Sequence, residues 1–437
     1  MSANEAPPVA NNSTSLPGPP SIFRWVVLVV ISGAMFANYY VYDSIAPIAD
    51  MLKSSLGFND ENIGSLYSVY SIAAVFVLIP GGLFIDRYGT ARATILFGAL
   101  ATAAAALNAV TSDLYVMLGA RVLLGLGSEL LIVAVTCALA KWFKGKELGF
   151  AFGINLTIAR LGSVAADNSP TWASDAYATW QGPLVIAAFI GVLCLACPIA
   201  YGLLEKYAAG KWDLGKATET DKFVLSDLSK FGWSFWFVVL LCVTFYSAIF
   251  PFRSFAIKFF IEAHEQSRES AGFINSILPF STMFATPIFG MMVDRVGRRS
   301  LFMAIGAFLL MPVYLIMAYK IFPLGVPIAM MGVAFSLIPA IMWPSVAYLV
   351  PEKRLGTAYA VMTLIQQGGV AGMNWLIGRT NDAFQAGAAN AEGYTPGMWI
   401  FSSLGFLALL FAILLRRAET GPNAKGLETI TVSNPAK

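Results

Sequence analysis

Two ionisable side chains of opposite sign, Glu129 and Arg160, lie inside neighbouring apolar segments of this chain. A carboxylate can bind an ammonium group, and a guanidinium can clamp a carboxylate through two parallel hydrogen bonds. A pocket that presents both groups would therefore suit a small zwitterion, with its amine on Glu129 and its carboxylate on Arg160. A neutral sugar would need neither charge, and a lipophilic cation would need the carboxylate alone.

The alternative is a structural ion pair, either between Glu129 and Arg160 or between Glu129 and Arg121. Arg121 precedes Glu129 by slightly more than two helical turns, so the two would share a helix face. Buried ion pairs are by themselves weak evidence for stability or function. An ionisable side chain in a membrane span, however, costs about 2.5–3.5 kcal/mol and usually marks a pathway. The sequence therefore favours ligand binding for Glu129 and Arg160, and helix bracing for Arg121.

Aromatic and amide side chains in other apolar segments are candidates for the remaining walls of this pocket. Rings offer large rigid faces and amides can hydrogen-bond a peptide group, although each such side chain is more often a packing residue. Asp43, near the end of the first apolar segment, fits a pathway and an interface equally well. Arg253 is expected to snorkel toward the membrane surface, without a role in binding. The further candidates are Tyr42, Asp43, Tyr246, Asn275, Trp343 and Gln366.

The elements that must position these residues are membrane helices. The chain is 57% hydrophobic and only 12% charged, about half the charged share of a soluble domain, so most of it is expected to lie in lipid. A bilayer crossing takes about 20 apolar residues. On that basis the sequence predicts twelve spans: 24–49, 62–85, 91–111, 114–140, 148–170, 182–204, 233–258, 270–292, 300–320, 326–350, 356–378 and 396–416.

The twelve spans fall into two halves, because a charged turn recurs at a matched position in each. Gly82-Leu-Phe-Ile-Asp86-Arg87-Tyr-Gly89-Thr-Ala-Arg92 has its counterpart in Gly290-Met-Met-Val-Asp294-Arg295-Val-Gly297-Arg298-Arg299. Duplicated halves are common in secondary transporters, whose solute site lies near the bilayer midplane between them. The expected organisation is an all-α membrane protein with two pseudo-symmetric six-helix bundles. Its predicted parts are a disordered tail 1–20, a first bundle 21–204, a central loop 205–232, a second bundle 233–417 and a tail 418–437.

The repeated turns are candidates for gating. Gly82 and Gly290 would let helices approach closely, and Gly89 and Gly297 would allow the sharp reversal. The aspartates would accept bonds from the following basic residues or from a facing helix N-terminus. The alternative is that the arginines only anchor the loops to anionic lipid. The gating candidates are Gly82, Asp86, Arg87, Gly89, Arg92, Arg121, Asp294, Arg295, Gly297 and Arg298.

These turns resemble the signature turn of the major facilitator superfamily, and Arg121-Val-Leu-Leu-Gly125-Leu-Gly127 resembles a second superfamily pattern. Trp142-Phe-Lys-Gly-Lys-Glu-Leu148, followed by Ala159-Arg160, is similar to the major facilitator superfamily domain-containing protein 1 family. That resemblance implies a dipeptide transporter without obvious proton coupling, known from animal lysosomes and assisted by a glycosylated membrane partner. It also implies dipeptide-binding charges at Glu129 and Arg160.

We therefore expect a carrier of small zwitterions, with dipeptides as the favoured cargo, that works by alternating access as a uniporter. The first span has Asn38-Tyr-Tyr-Val-Tyr-Asp43 where proton-coupled peptide transporters carry Glu-x-x-Glu-Arg. The alternatives are a proton-coupled symporter or exporter of other small solutes, and a membrane receptor or scaffold that moves nothing. The sequence has no nucleotide loop, metal-ligand cluster or nucleophile triad. We therefore expect no enzyme activity, no cofactor, no metal and no nucleic-acid binding.

Orientation and compartment follow from the charges and the tails. Most of the 28 Lys and Arg residues fall on the side of both termini, which predicts cytoplasmic termini. The first tail lacks an acidic dileucine signal, so a bacterial inner membrane is favoured, or a lysosomal membrane if the source is eukaryotic. We expect a monomer in the lipid bilayer, with an accessory membrane protein implied only by the resemblance.

Overall fold

Twelve helices of membrane-spanning length make up the computed structural model, which describes residues 18–143, 147–212, 214, 225–422 and 424–431. Residues 1–17 of the predicted disordered tail lie outside the described residues, as do residues 213 and 215–224 of the predicted central loop. The first half contains α1 (Ser21–Asp43), α2 (Asp60–Tyr88), α3 (Thr90–Val110), α4 (Leu114–Phe143), α5 (Leu148–Asp167) and α6 (Gln181–Gly191 continued by Leu193–Ala209).

The second half repeats this order. It contains α7 (Trp233–His264), α8 (Arg268–Val296), α9 (Arg299–Leu310 continued by Val313–Ala318), α10 (Gly325–Leu349), α11 (Leu355–Ala383) and α12 (Thr395–Glu419). Short helical segments connect the membrane helices: Ala46–Ile48, Ala49–Leu56, Ser169–Trp172, Ser174–Ala178, Leu225–Lys230, Glu352–Arg354 and Ala391–Tyr394.

Eleven helices in the described part of the chain are long and apolar enough to cross a membrane. The twelfth, α11, has 29 residues and is therefore about 43 Å long, more than the roughly 30 Å hydrocarbon core of a bilayer. It falls short in apolarity because it carries Gln366, Gln367 and Asn374, which face the other half and the centre of the protein. The predicted all-α membrane fold is confirmed, with twelve helices in the described ranges long enough to span a bilayer and eleven of them also apolar enough.

Helix ends are set by local capping. Asn59 and Asn62 form a reciprocal capping box at the start of α2, and the Ser267 hydroxyl accepts the Ser270 N–H at the start of α8. At the charged turns, Gly89 and Gly297 have φ of 81° and 70°, conformations that glycine adopts at no steric cost. The chain therefore reverses sharply where the repeat predicted.

The two halves meet through α2 against α11 and α5 against α8, an arrangement that the duplication makes pseudo-symmetric. Within the halves, α1 packs on α5 and α6, and α7 packs on α11 and α12. We call the side of the bundle that carries both termini the terminal side, and the opposite side the far side. Because α1 runs from the terminal side to the far side, Asp43 marks the far side and the turn at Gly89 marks the terminal side.

Close packing inside the first half depends on Gly162, where α5 crosses α1. A Cβ atom at Gly162 would lie 2.1 Å from the Phe36 carbonyl oxygen, whereas a Cβ at Gly153 of the same helix would meet nothing within 4 Å. We expect Gly162→Leu to lower the stability of the folded protein by about 1–3 kcal/mol, the usual cost of overpacking. Gly153→Leu is the matched control and should leave the thermal unfolding midpoint in detergent unchanged. Equal midpoints for the two variants would contradict this packing.

Candidate functional site

A cavity of about 260 Å³ lies between the two halves, near the middle of the helices. It contains both predicted ligand-binding charges and four of the other predicted residues. Its walls are formed by Asn38, Tyr39, Tyr42, Tyr70, Ser128, Glu129, Ile132, Arg160, Tyr246, Phe250, Trp343, Thr363, Gln366, Gln367 and Val370. Each half contributes three aromatic rings to these walls, and both charged side chains come from the first half.

The Glu129 carboxylate is held by neutral donors from both halves. The Tyr70 hydroxyl of α2 donates to Glu129 Oε1 at 2.9 Å, and the Gln367 amide of α11 donates to the same oxygen at 3.2 Å. Tyr70 also bonds the neighbouring Ser128 hydroxyl at 2.9 Å, which fixes the phenol against α4. These neutral donors bind one carboxylate oxygen and bring no positive charge to Glu129.

The Arg160 guanidinium stacks on aromatic rings rather than on an acid. Its Cζ lies 5.4 Å from the ring centroid of Tyr39 on α1 and 5.7 Å from that of Phe335 on α10. Among the described residues no carboxylate lies within 4.0 Å of the guanidinium nitrogens. The alternative of a closed Glu129–Arg160 pair is therefore not realised in this state.

The second half supplies an aromatic wall. Trp343 Nε1 donates to the Tyr246 hydroxyl at 3.0 Å, and the Tyr246 ring stacks on Phe250 with centroids 5.4 Å apart and planes 9° from parallel. Gln366 accepts a weak bond from the Cys242 thiol at 3.6 Å. Trp343, Tyr246 and Gln366 therefore lie where the sequence analysis expected them, beside the cavity.

Asp43 and Asn275, also predicted to bind the solute, do not line this cavity. They belong to a buried cluster at the far side that is centred on Arg253. Arg253 Nη2 bonds Asp167 at 2.9 Å, and Nη1 lies 3.6 Å from Asp43. Asn275 Nδ2 donates to the other Asp167 oxygen at 2.8 Å. Asp43 therefore takes the interface role that the sequence analysis left open.

Arg253 does not snorkel, contrary to expectation. Its side chain is only 4% exposed, because two carboxylates from the first half hold the guanidinium between the halves. Proximity to Pro251 near a helix end suggested a route to the membrane surface, and the sequence could not reveal the facing acids. Arg253 is thus an ionic link between the two halves.

Further ion pairs close the far side. Lys258 of α7 bonds Asp60 of α2 at 2.8 Å, with both side chains fully buried. Arg268 of α8 grips Asp50 through two bonds of 2.6 and 2.7 Å. Together with the two contacts of Arg253, four ion pairs join the two halves on this side. The far side is therefore closed.

On the terminal side, the charged turn of the second half bonds within its own half. Asp294 bonds Arg299 at 2.9 Å, as predicted for an aspartate followed by basic residues, and the Arg298 N–H donates to the Glu428 carbonyl at 3.0 Å. A Cβ at Gly290 would meet nothing within 4 Å, so the predicted close helix approach is not made in this state. The exposed gating candidates of these turns are Asp86, Arg87, Gly89, Arg92, Asp294, Arg295 and Arg298.

Because the far side is sealed by ion pairs, we infer that the cavity faces the terminal side. Gly82, in the last part of α2, is half-buried, so its exposure does not indicate which side is open.

Arg121, the remaining gating candidate, lies apart from the turns. It is fully buried and donates two 3.1 Å bonds to the Tyr42 carbonyl, with its Cζ 5.0 Å from the Tyr67 ring centroid. That is the bracing position which the sequence favoured, and it excludes a Glu129–Arg121 pair in this state.

Sequence reasoning missed three side chains that shape the site: Tyr39, Tyr70 and Gln367. Gln367 had a signal, because it occupies the repeat position of Arg160, 207 residues later. Tyr39 and Tyr70 are aromatic residues in aromatic-rich helices and carry no comparable mark. Within the described ranges, no three His, Cys, Asp or Glu side chains come together in a way that could hold a metal ion.

The Arg253 cluster makes a prediction about stability. Arg253→Met would leave both Asp43 and Asp167 without a buried cation, a situation that typically costs about 3–5 kcal/mol. Asp43→Asn should cost clearly less, because Arg253 keeps its 2.9 Å bond to Asp167. We expect the thermal unfolding midpoint of purified protein to fall more for Arg253→Met than for Asp43→Asn. Equal losses would show that Arg253 is not shared by the two acids.

Comparison with known sequences gives a consistent family. A sequence model of the Major Facilitator Superfamily matches residues 31–260 and 252–434. The lysosomal dipeptide transporter MFSD1 of Bos taurus is 30% identical over 427 residues, which cover 94% of this chain and 89% of that protein. The human protein of the same name is 29% identical over 416 residues, covering 91% and 87%.

Solved structures share the fold. A bacterial homologue of the human lysosomal transporter Spinster, in an inward-facing and occupied conformation, superimposes with a TM-score of 0.70 at 14% identity, over 91% of this chain and 98% of that one. The nucleoside transporter NupG gives 0.69 at 14% identity, over 89% and 99%.

Proposed function

The chain is a transporter that belongs to the Major Facilitator Superfamily, and we propose that its cargo is a dipeptide held between Glu129 and Arg160. The observation that carries this proposal is that both charges face one cavity without pairing with each other. A zwitterion would satisfy both, with its ammonium on the carboxylate and its carboxylate on the guanidinium fork. The MFSD1 relatives are named lysosomal dipeptide transporters, which supports the same cargo.

The dimensions of the cavity support a small solute. Its volume of about 260 Å³ lies just under the range of roughly 300–1,000 Å³ of drug-sized ligand pockets. Tyr246, Phe250 and Trp343 would cover the apolar part of a dipeptide, and Gln366 could bond its peptide group. Gln367 already bonds Glu129 from the other half, so a solute ammonium on Glu129 would act directly on a contact between the halves.

Transport would proceed by alternating access. The present state is closed on the far side, and the loaded carrier would have to break the Arg253, Lys258 and Arg268 pairs and close the terminal side. We propose that the termini are cytoplasmic, because Lys and Arg concentrate on their side. We propose a bacterial inner membrane as its location. We also propose that the protein is a monomer, since one chain builds the whole cavity. Any accessory membrane protein would then dock outside the cavity.

Facilitated diffusion is the simplest coupling for such a carrier, since the cargo carries its own balanced charges. One observation favours a proton-coupled alternative: two carboxylates, Asp43 and Asp167, share the single guanidinium of Arg253. Dipeptide uptake into vesicles with and without an imposed pH gradient separates the two. Facilitated diffusion predicts the same initial rate under both conditions, and acceleration by the gradient would establish coupling.

The carboxylate is tested by Glu129→Gln. The substitution keeps the shape of the side chain and its bonds to Tyr70 and Gln367 but removes the charge that would hold the ammonium. We expect uptake of a tracer dipeptide into vesicles to fall about tenfold or more, since a bond to a charged group contributes about 1.5–3 kcal/mol. Asp113→Asn, an exposed acid far from the cavity, is the matched control. Unchanged uptake by Glu129→Gln would remove Glu129 from the site.

The guanidinium is tested by Arg160→Lys, which keeps the positive charge and loses the planar fork. We expect a loss of about tenfold in uptake, because an ammonium cannot bind a carboxylate through two parallel bonds. Arg379→Lys is the control, because Arg379 also stacks on a ring, with its Cζ 5.3 Å from the Trp375 centroid, but lies outside the cavity. Full activity of Arg160→Lys would leave Arg160 a packing residue.

A further inference from the structure

Asp382, in the last turn of α11, binds backbone rather than a basic side chain. Its Oδ1 accepts the Asp60 N–H at 2.9 Å, and its Oδ2 accepts the Glu61 N–H at 2.7 Å. Asp60 and Glu61 are the first two residues of α2, which belongs to the other half. The carboxylate of one half therefore sits on the helix N-terminus of the other, at the far side.

This contact completes the capping of α2. The first N–H groups of a helix have no partner within the helix, and the N-terminus carries a partial positive charge. Asn59 accepts the Asn62 N–H at 2.8 Å, which leaves the Asp60 and Glu61 N–H groups to be satisfied from elsewhere. The first half thus supplies part of the cap, and the second half supplies the only charged part that the described residues provide.

Backbone contact holds Asp382 in place. A Cβ atom at Gly378, one turn before Asp382, would lie 2.3 Å from the Asp60 carbonyl oxygen, and a Cβ at Gly64 would lie 2.2 Å from the Asn374 carbonyl oxygen. The two helices therefore touch through glycine at both positions. Opening the far side must separate these backbones, and the carboxylate cannot follow α2 once they part.

We propose that Asp382 is a positioning residue of the transport cycle, which holds the far side closed by capping the N-terminus of α2 from the opposite half. When the far side opens, both N–H groups exchange this carboxylate for water. The contact therefore stabilises the state in which the far side is closed, and it is absent from the state in which the far side is open. This inference rests on the transporter fold and is independent of the identity of the cargo.

The test measures how often the far side opens. Ser68 of α2 is buried, and its hydroxyl donates to the Ala371 carbonyl of α11 at 2.7 Å, so a thiol there is reachable only when the halves part. In detergent-purified protein whose four native cysteines are replaced by alanine, Ser68→Cys is labelled with a water-soluble maleimide, which can reach both sides of the carrier. We expect Asp382→Ala to speed this labelling about two- to tenfold, and Asp382→Asn to speed it less, because one acceptor oxygen remains.

A second reporter separates a shift of state from unfolding. Thr363→Cys lies in the cavity, which is open to the terminal side, and its labelling should slow as Asp382→Ala moves the population toward the far-open state. Unfolding would speed both reactions. Asp113→Ala is the matched control: Asp113 accepts the Val116 N–H at 3.0 Å and caps α4 within its own half. The inference is overturned if Asp382→Ala leaves Ser68→Cys labelling unchanged, if both reporters speed up, or if Asp113→Ala has an equal effect.

Discussion

Two opposite charges that share a membrane-embedded cavity and do not meet are the constraint on which this structure depends. An ionised side chain at this depth is costly, so each needs compensation that leaves it available. Glu129 obtains it from the Tyr70 hydroxyl and the Gln367 amide, and Arg160 from the faces of Tyr39 and Phe335. Neutral donors and rings stabilise a charge without cancelling it. A solute with both charges can therefore complete the site.

The same separation links the site to the movement of the two halves relative to each other. Glu129 and Arg160 both stand on the first half, yet each is compensated in part by the second, through Gln367 and Phe335. The far-side pairs of Arg253, Lys258 and Arg268 bind the halves in the present state. Since these pairs form between the halves, any state open to the far side must replace them, and the energy of the solute contacts has to compete with theirs.

The sequence was sufficient for the helices, the duplication and the two central charges. Long apolar segments have few alternatives in a bilayer, and an ionisable residue inside one of them stands out at once. Asp43, Asn275 and Arg253 could not be placed in the same way. Their pairing depends on the register of α1, α5, α7 and α8 against one another and on which side of the carrier is closed. A local sequence pattern predicts neither the register of the helices nor the closed side.

The contrast between Gln366 and Gln367 shows the same limit at one step along a helix. Both line the cavity, but only Gln367 reaches Glu129, because adjacent helix residues point about 100° apart. The sequence does not indicate the role of Asp382, because it lies at a helix end among polar residues, where carboxylates are common. Its partner is a backbone terminus, which has no sequence signature of its own.

The most direct test of the central claim is a binding cycle that pairs each charge with one end of the peptide. Affinities of the wild type, Glu129→Gln and Arg160→Lys are measured by calorimetry for a dipeptide and for its N-acetylated and C-amidated forms. The account predicts that acetylation weakens binding to the wild type but adds little in Glu129→Gln, and that amidation does the same with Arg160→Lys. Blocking either end with no loss of affinity, or additive losses in both variants, would contradict it.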